Sequence, residues 1–498
     1  YVDPLQGMFI GLGLIALGSG GIKPCVSAHV GDQFGKGNWH LLQKVFNAFY
    51  FIINFGSAFA TILIPMIRGG VQDQMIDGIL YRTYEGSVSW AFGVPGILMG
   101  LATFFFWKGR KEFIHVPPTH PGIRGVLDVL SGTFLFLGVL AVPVFFNEIL
   151  GSTTTVVLVS LACIVAFVVT YVIRQNIEQD DGFMALTFYA LKAKLLGSDS
   201  GGEGSAPEEG QEDHRKHWFY GSTARRFGSD VAEGPMAVWK IISVFFLVSV
   251  FWGLFHQHSS TWISQARDMN RGVDLSQITW LISGAILGLV VGYAFVLTLQ
   301  RKGTKALFLS AWGLVGGLLF GWVAHRFGPY NLEASQVPAV NPFMVMILIP
   351  YTTFGLYPLM AKMGYEPTPL RRMSIGMVMA GLAFAGIAVV QGWMDVGGAG
   401  SVHVGWQLPP YFIITLAEVM VSITGLEFAY TQAPKRMKSV IMGFWLLLVT
   451  IGDLLVVFVT RMKFAPEKGF WIYAVLMVVA GLLFTVRAKF YRYKSYTQ

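Results

Sequence analysis

The chain has 498 residues, 54% of them hydrophobic and 13% charged, with a mean hydropathy of +0.57. So few charges cannot cover the surface of a water-soluble protein of this size, which excludes a soluble globular enzyme. The 21 prolines and 14% aromatic content exclude collagen-like and disordered chains, and the two cysteines, Cys25 and Cys163, sit in apolar runs and supply neither a disulfide framework nor a zinc cluster.

A bilayer core is crossed by about 20 apolar residues in helical form. Thirteen runs of that order predict spans at 5–31, 45–67, 87–107, 126–147, 149–173, 238–260, 276–299, 306–325, 342–361, 373–394, 410–430, 439–460 and 470–486. The fourth and fifth are joined by almost nothing, around Glu148 and Gly151, and read as a tight helical hairpin. The longest polar stretch follows them, 175–237, with a Gly/Ser-rich piece at 197–205 and an acidic run from Glu208 to Asp213. By composition it is a flexible cytoplasmic linker. Five spans precede it and eight follow. With the first residues placed outside, the inner loops hold 26 lysines and arginines and the outer loops 8, as the positive-inside rule requires. The net charge of +8 is thereby explained by the membrane, without nucleic acid as a partner. The chain starts without Met, basic segment or cleavage site, within a few residues of a span. It shows no signal peptide and reads as a fragment or trimmed chain.

Charge inside hydrocarbon costs about 2.5–3.5 kcal/mol on insertion scales, so the ionisable residues within spans carry the information: Lys23, His256, His258, Glu418, Glu427 and Asp453. Glu427 lies near an inner end, within reach of headgroups, and His258 lies near an outer end, where solvation is the ordinary reading. Lys23 and Glu418 sit deep in long apolar runs. A carboxyl taken out of water holds its proton more tightly, and an ammonium less tightly. A facing Lys23–Glu418 pair would stabilise both charges. Protonation of Glu418, or a competing ligand charge, would break that pair, which is the elementary event of a proton-coupled carrier. Helical i,i+4 spacing puts Tyr50 with Asn54, Trp252 with His256, and Glu418 with Ser422 on shared faces. Pro65, Pro95, Pro350 and Pro358 mark kinks within spans. No nucleophile triad or metal-ligand spacing is present, and the Gly18–Gly21 run follows no strand, which argues against a nucleotide site.

Four long motifs occur in order. Gly18-Ser-Gly-Gly-Ile-Lys-Pro-Cys-Val-Ser27 continues to Gly31-Asp-Gln-Phe34. Phe49-Tyr-Phe-Ile-Ile-Asn-Phe-Gly-Ser57 follows, then Phe251-Trp-Gly-Leu-Phe-His-Gln-His-Ser-Ser-Thr-Trp262. Last comes Ser422-Ile-Thr-Gly-Leu-Glu-Phe-Ala-Tyr430 with Ala433-Pro and Met437-Lys-Ser439. Together they resemble the proton-dependent oligopeptide transporter family of the major facilitator superfamily, over nearly the whole chain. The resemblance implies an all-α polytopic inner (plasma) membrane protein of twelve core helices in two bundles. The first span here corresponds to the family's fourth helix, so the first three, with their Glu-x-x-Glu-Arg motif, are expected to be missing. The implied organisation is 1–124 for the rest of the N-terminal bundle, 125–174 for an inter-bundle hairpin, 175–237 for the linker, and 238–498 for the C-terminal bundle. Two extra spans at about 276–325 are an insertion, read as a lipid-facing hairpin; being even in number, they preserve the orientation downstream.

The implied activity is import of di- and tripeptides with protons, driven by the proton gradient without a cofactor. Lys23 would engage the peptide carboxylate and, when empty, Glu418, which would take the amino terminus. Tyr50, Asn54 and Asn341 would bond the peptide backbone, and Trp252, Trp445 and Ser422 would line side-chain pockets. His256 departs from the family, which has an acid there, and Asp453 stands where the family tends to have a neutral amide. The two are read as compensating for one another and, with Glu418, as coupling protons; an imidazole titrates at about pH 6.5 in water. Carriage of another small solute, a transport-incompetent binding or scaffold protein, and an intramembrane enzyme are the alternative readings.

Overall fold

The computed structural model describes the chain apart from residues 1–3, 35–36, 39–40, 70, 77–78, 85, 115–121, 145–150, 178–181, 198–212, 328–329, 435–436 and 495–498. In chain order the elements are α1 (Pro4–Asp32), α2 (Leu42–Arg68), the hairpin strands β1 (Val71–Ile76) and β2 (Ile79–Tyr84), α3 (Val88–Gly109) and α4 (Ile123–Phe136), which runs on through a wide turn at Leu137–Ala141. There follow α5 (Thr153–Ile177), α6 (Phe183–Leu196), α7 (Gly221–Phe227), α8 (Ser229–Phe255) and α9 (Thr261–Arg267). Next are β3 (Gly272–Val273), α10 (Gln277–Leu299), α11 (Thr304–Phe327) and β4 (Tyr330–Asn331), which pairs antiparallel with β3. The chain ends with α12 (Val340–Pro350), α13 (Tyr357–Lys362), α14 (Pro369–Gly397), α15 (Leu408–Thr431), α16 (Lys438–Arg461) and α17 (Pro466–Lys489).

Every predicted span coincides with helix over most of its described residues; the tight connection expected around Glu148 lies outside the described residues. Among the described residues twelve helical stretches are long and apolar enough to cross a bilayer, and Ile10–Lys23 of α1 is a further apolar stretch. Three spans are interrupted, the run 126–147 by the wide turn at Leu137–Ala141. The run 342–361 widens at Tyr351–Leu356, between Pro350 and Pro358; Pro358 has no N–H to give its preceding turn, so the hydrogen-bond ladder shifts register there. The run 238–260 tightens at His256–Ser259 before α9 begins.

Two compact units form, Tyr1–Glu112 with Lys240–Gln498, and Phe113–Trp239. In the second, α4 packs along α5, and Arg174, 2% exposed, bonds Asp128 at 2.9 Å. The expectation of a flexible linker over 175–237 is corrected here. Phe183, Leu186, Ala190 and Ala193 of α6 form a buried stripe at helical spacing, so burial of that stripe outweighs the polar composition around it. Tyr220, before α7, bonds Thr187 at 2.9 Å and accepts from Trp239 Nε1 at 2.8 Å, and α8 starts at Ser229, nine residues before the predicted span. The Gly/Ser-rich piece beyond Gly197 and the acidic run before Asp213 lie outside the described residues.

In the first unit α14 packs on α15 and α17, α2 on α12, and α1 on α16. The inserted pair α10–α11 is a hairpin in which backbones touch. A Cβ on Gly288 would stand 2.1 Å from the Gly313 carbonyl oxygen, and one on Gly317 2.0 Å from that of Gly284. With Gly292 and Gly321, the glycines recur every fourth residue on both helices, which is the small-residue packing available to helices in lipid. The Tyr351 hydroxyl donates to the Val290 carbonyl at 3.0 Å, tying the hairpin to the wide turn after α12.

Candidate functional site

The centre of the first unit is Glu418 on α15, 4% exposed. Its Oε1 accepts from the Tyr50 hydroxyl of α2 at 2.5 Å, and its Oε2 from Asn341 Nδ2 of α12 at 2.8 Å. Asn341 also bonds Thr415, one turn before Glu418, at 3.0 Å. The arrangement is held by packing: Val345, Leu348 and Ile349 of α12 cluster with Val419 and Ile423 of α15, and Tyr50 lies against that cluster. Ser422, buried one turn on from Glu418, stands beside the Tyr50 hydroxyl. Asn54 is buried but turns back on its own helix, donating to the Tyr50 carbonyl at 2.9 Å.

The structure does not bring Lys23 onto Glu418. Lys23 is exposed on α1, and among the described residues it has no ion pair. Gly11, Gly13, Gly18, Gly20 and Gly21 of the same helix have no neighbour within 4 Å of an added Cβ. Among the described residues the partners of Glu418 are a phenol and an amide instead of an ammonium.

A second cluster lies toward the outer end. His256 Nδ1 is 2.8 Å from Asp453 Oδ1, with both side chains partly exposed. The pair meets because α8 and α16 cross without side chains between them: a Cβ on Gly253 would stand 2.1 Å from the Gly452 carbonyl oxygen, and one on Gly452 1.9 Å from that of Ser249. Trp252 stacks edge-on to Trp445 at 6.0 Å and lies 5.9 Å from the His256 ring. Trp445 also packs on Phe245 and over Gly425, whose missing side chain makes its seat. The Trp252 indole N–H is buried without an acceptor among the described residues. His258, expected to be solvated, is instead buried. Its Nδ1 is 2.6 Å from the Phe255 carbonyl oxygen, and its ring packs on Phe255 and Tyr411, a structural role set by the tightened turn.

Contacts at both ends of α2 were not legible in the sequence. At the outer end Arg68 meets Glu333 at 2.8 Å. At the inner end Leu42 and Phe46 form a buried cluster with Tyr430 of α15. The Tyr430 hydroxyl donates to Asp32 of α1 at 3.2 Å, with Gly31 under the ring. Each of these residues reads singly as loop charge or core aromatic; only the tertiary structure pairs them. Among the described residues no group of His, Cys, Asp and Glu is disposed to hold a metal ion.

These helices, with a buried carboxyl reached from both the N-terminal and C-terminal sets, define a multi-pass membrane transporter of the major facilitator fold. The chain matches the POT family over residues 4–180 and 319–468, more than half its length, and belongs to that family. The range 181–318, outside the match, holds the Phe251–Trp262 motif and most of the inserted hairpin. Among curated relatives, solute carrier family 15 member 2 of Danio rerio is 24% identical, the alignment covering 97% of this chain and 76% of that protein. Peptide transporter family 1 of Drosophila melanogaster is 26% identical, over 99% and 76%. Two crystal structures are similar: an auto-inhibited POT family peptide transporter (TM-score 0.58, 28% identity, 100% of this chain and 80% of that one) and the POT family transporter PepTSo (0.59, 29%, 98% and 79%).

Proposed function

We propose that the protein imports di- and tripeptides together with protons by alternating access in the plasma membrane. The observation that carries this reading is the buried Glu418 carboxyl, gripped by neutral donors from α2 and α12. A carboxylate so placed takes either a proton or the ammonium end of a zwitterion, and charge-assisted bonding to the ammonium is the stronger contact. An arriving peptide amino terminus displaces the Tyr50 hydroxyl from Oε1, and Asn341 keeps Oε2 in position. Tyr50, Asn54 and Asn341 then hold the peptide backbone. Lys23 takes the peptide carboxylate, a role that rests on the family resemblance. With Lys23 on α1 and Glu418 on α15, one peptide spans the two sets of helices, so its binding favours their closure. Trp252, Trp445 and Ser422 border the side-chain pockets, and the orphan Trp252 N–H is a donor for a substrate carbonyl. Glu418 and the His256–Asp453 pair carry the proton. Peptide substrates are also supported by the relatives, which include a peptide transporter of Drosophila melanogaster and peptide transporters among the solved structures.

The test is accumulation of a labelled dipeptide by proteoliposomes under an imposed pH gradient, acid outside. We expect gradient-driven accumulation in the native protein and its loss in Glu418→Gln. Uptake indifferent to the gradient rejects symport, and full accumulation by Glu418→Gln rejects the site.

A further inference from the structure

We propose that α6 is an interfacial helix that lies in the inner leaflet and binds anionic phospholipid headgroups through Lys192 and Lys194.

The observations come from the Phe113–Trp239 unit alone. One face of α6 is buried in that unit, through Phe183, Leu186, Ala190 and Ala193. A second face is also apolar: Met184, Phe188, Leu191 and Leu195 recur at intervals of four, three and four, the helical period. Leu191 is 40% exposed and Leu195 74%, with Leu196 at 69% beside them. A cytoplasmic helix with water on that side would not hold such a stripe, whereas lipid satisfies it.

The depth of the helix follows from α5. The Phe188 ring lies 5.3 Å from Tyr171 and 6.4 Å from Phe167. Both are on the membrane-spanning α5, six and ten residues before its inner end at Ile177. At 1.5 Å per residue they stand about 9 and 15 Å above that end. Phe188 therefore lies beside the last turns of α5 and not beyond its end, which sets α6 at the level of the acyl–headgroup boundary. The neighbouring α5 surface (Val168, Val169, Val172, Ile173) is apolar and exposed too, so the stripe continues a lipid-facing surface.

The charges complement an anionic leaflet. Lys192 and Lys194 are exposed near the end of α6, and Lys216 is exposed close by in sequence to Trp218. The Lys194 ammonium stands 3.9 Å over the ring of Trp218, which is itself 76% exposed. Tryptophan beside lysine is the composition of the membrane interface, and the positive-inside count places this segment on the cytoplasmic side, where a basic segment meets anionic lipid.

The experiment has two readouts on the purified protein in vesicles. First, Leu195→Cys, in a Cys25→Ser/Cys163→Ser background, carries a spin label in phosphatidylcholine vesicles with and without phosphatidylglycerol. We expect the label to meet lipid-soluble oxygen more readily than a water-soluble nickel chelate. Second, native mass spectrometry measures phosphatidylglycerol retained over phosphatidylcholine. Retention is expected to fall about fivefold for each lysine removed in Lys192→Gln and Lys194→Gln, the equivalent of ~1 kcal/mol per charge near an anionic leaflet. A label reached mainly by the chelate, or shielded from both reagents by protein, overturns the proposal. So does a lipid-exposed label with phosphatidylglycerol retention unchanged in the double variant.

Discussion

Gly452→Ala tests how the crossing of α8 and α16 holds the outer pair. The new methyl carbon would stand 1.9 Å from the Ser249 carbonyl oxygen, against 3.4 Å for an ordinary contact, and the obstacle is backbone that no rotamer change can clear. The helices must part by about 1.5 Å at that level. Asp453 is the next residue, so most of that displacement reaches its 2.8 Å contact with His256 and stretches it beyond 4 Å, out of hydrogen-bond range. Overpacking costs about 1–3 kcal/mol, and the helix propensity gained from Gly to Ala returns about 1 kcal/mol. The net loss of stability is therefore modest, and the loss of the pair is the larger consequence. Gly443→Ala, on the same helix with nothing within 4 Å, supplies the control and should be neutral or stabilising. The assays are the thermal midpoint in detergent and the external-pH profile of dipeptide uptake. Gly452→Ala should lower the midpoint and shift the profile in the same direction as His256→Asn. If it matches Gly443→Ala in both, the close crossing does not position the pair.

Exchanging the pair for its family-like counterpart, His256→Asp with Asp453→Asn, should preserve uptake better than either single change, because each single change leaves one partner unmatched; two silent singles end the idea of compensation. Tyr50→Phe removes one of the two donors to Glu418. In the empty site that bond to a charged group is worth about 1.5 kcal/mol, and the backbone bond Tyr50 gives the bound peptide about 1 kcal/mol, so KM for a dipeptide should fall by about twofold; a tenfold rise would show that the peptide does not displace the Tyr50 hydroxyl. Burial pushes the proton affinity of the Tyr220 phenol up, partly offset by its bonds to Thr187 and Trp239. Because the folded state holds that proton more tightly than the unfolded chain, the contribution to stability is complete below the unfolded value of about 10 and is lost as pH rises above it. The Phe113–Trp239 unit should therefore loosen in strong alkali, monitored by hydrogen exchange, and Tyr220→Phe should flatten that dependence.

The spans were readable because hydrocarbon allows few alternatives: a run of about 20 apolar residues must bond its backbone internally. The order of the motifs and the positive-inside bias are likewise linear properties of the chain. What failed was whatever depends on rotation about a helix axis. Lys23 and Glu418 each stood out by being charged in apolar surroundings, yet nothing in their spacing says that they face each other, and in the structure Tyr50 and Asn341 occupy the carboxyl. His256 and Asp453 were singled out together because both depart from the family pattern; that they touch depends on two glycines whose crossing only the tertiary fold displays. The helix α6 was hidden by its neighbourhood. Its fourteen residues carry a regular apolar stripe, but they adjoin a Gly/Ser-rich and acidic segment whose composition dominates any average over the region.

One consequence concerns α2. Its 27 residues make a rod about 40 Å long, fastened at one tip by the Arg68 guanidinium and near the other by the Phe46 ring and, one turn on, by the Tyr50 phenol. A stiff lever cannot swing at one tip alone. About the Tyr50 phenol the arm to Arg68 is about four times as long as the arm to Phe46, so a small shift at the aromatic latch is magnified at the Glu333 pair. The fulcrum is the phenol bonded to Glu418, and on the function proposed above the same atoms would both meet the cargo or proton and govern the swing of the rod.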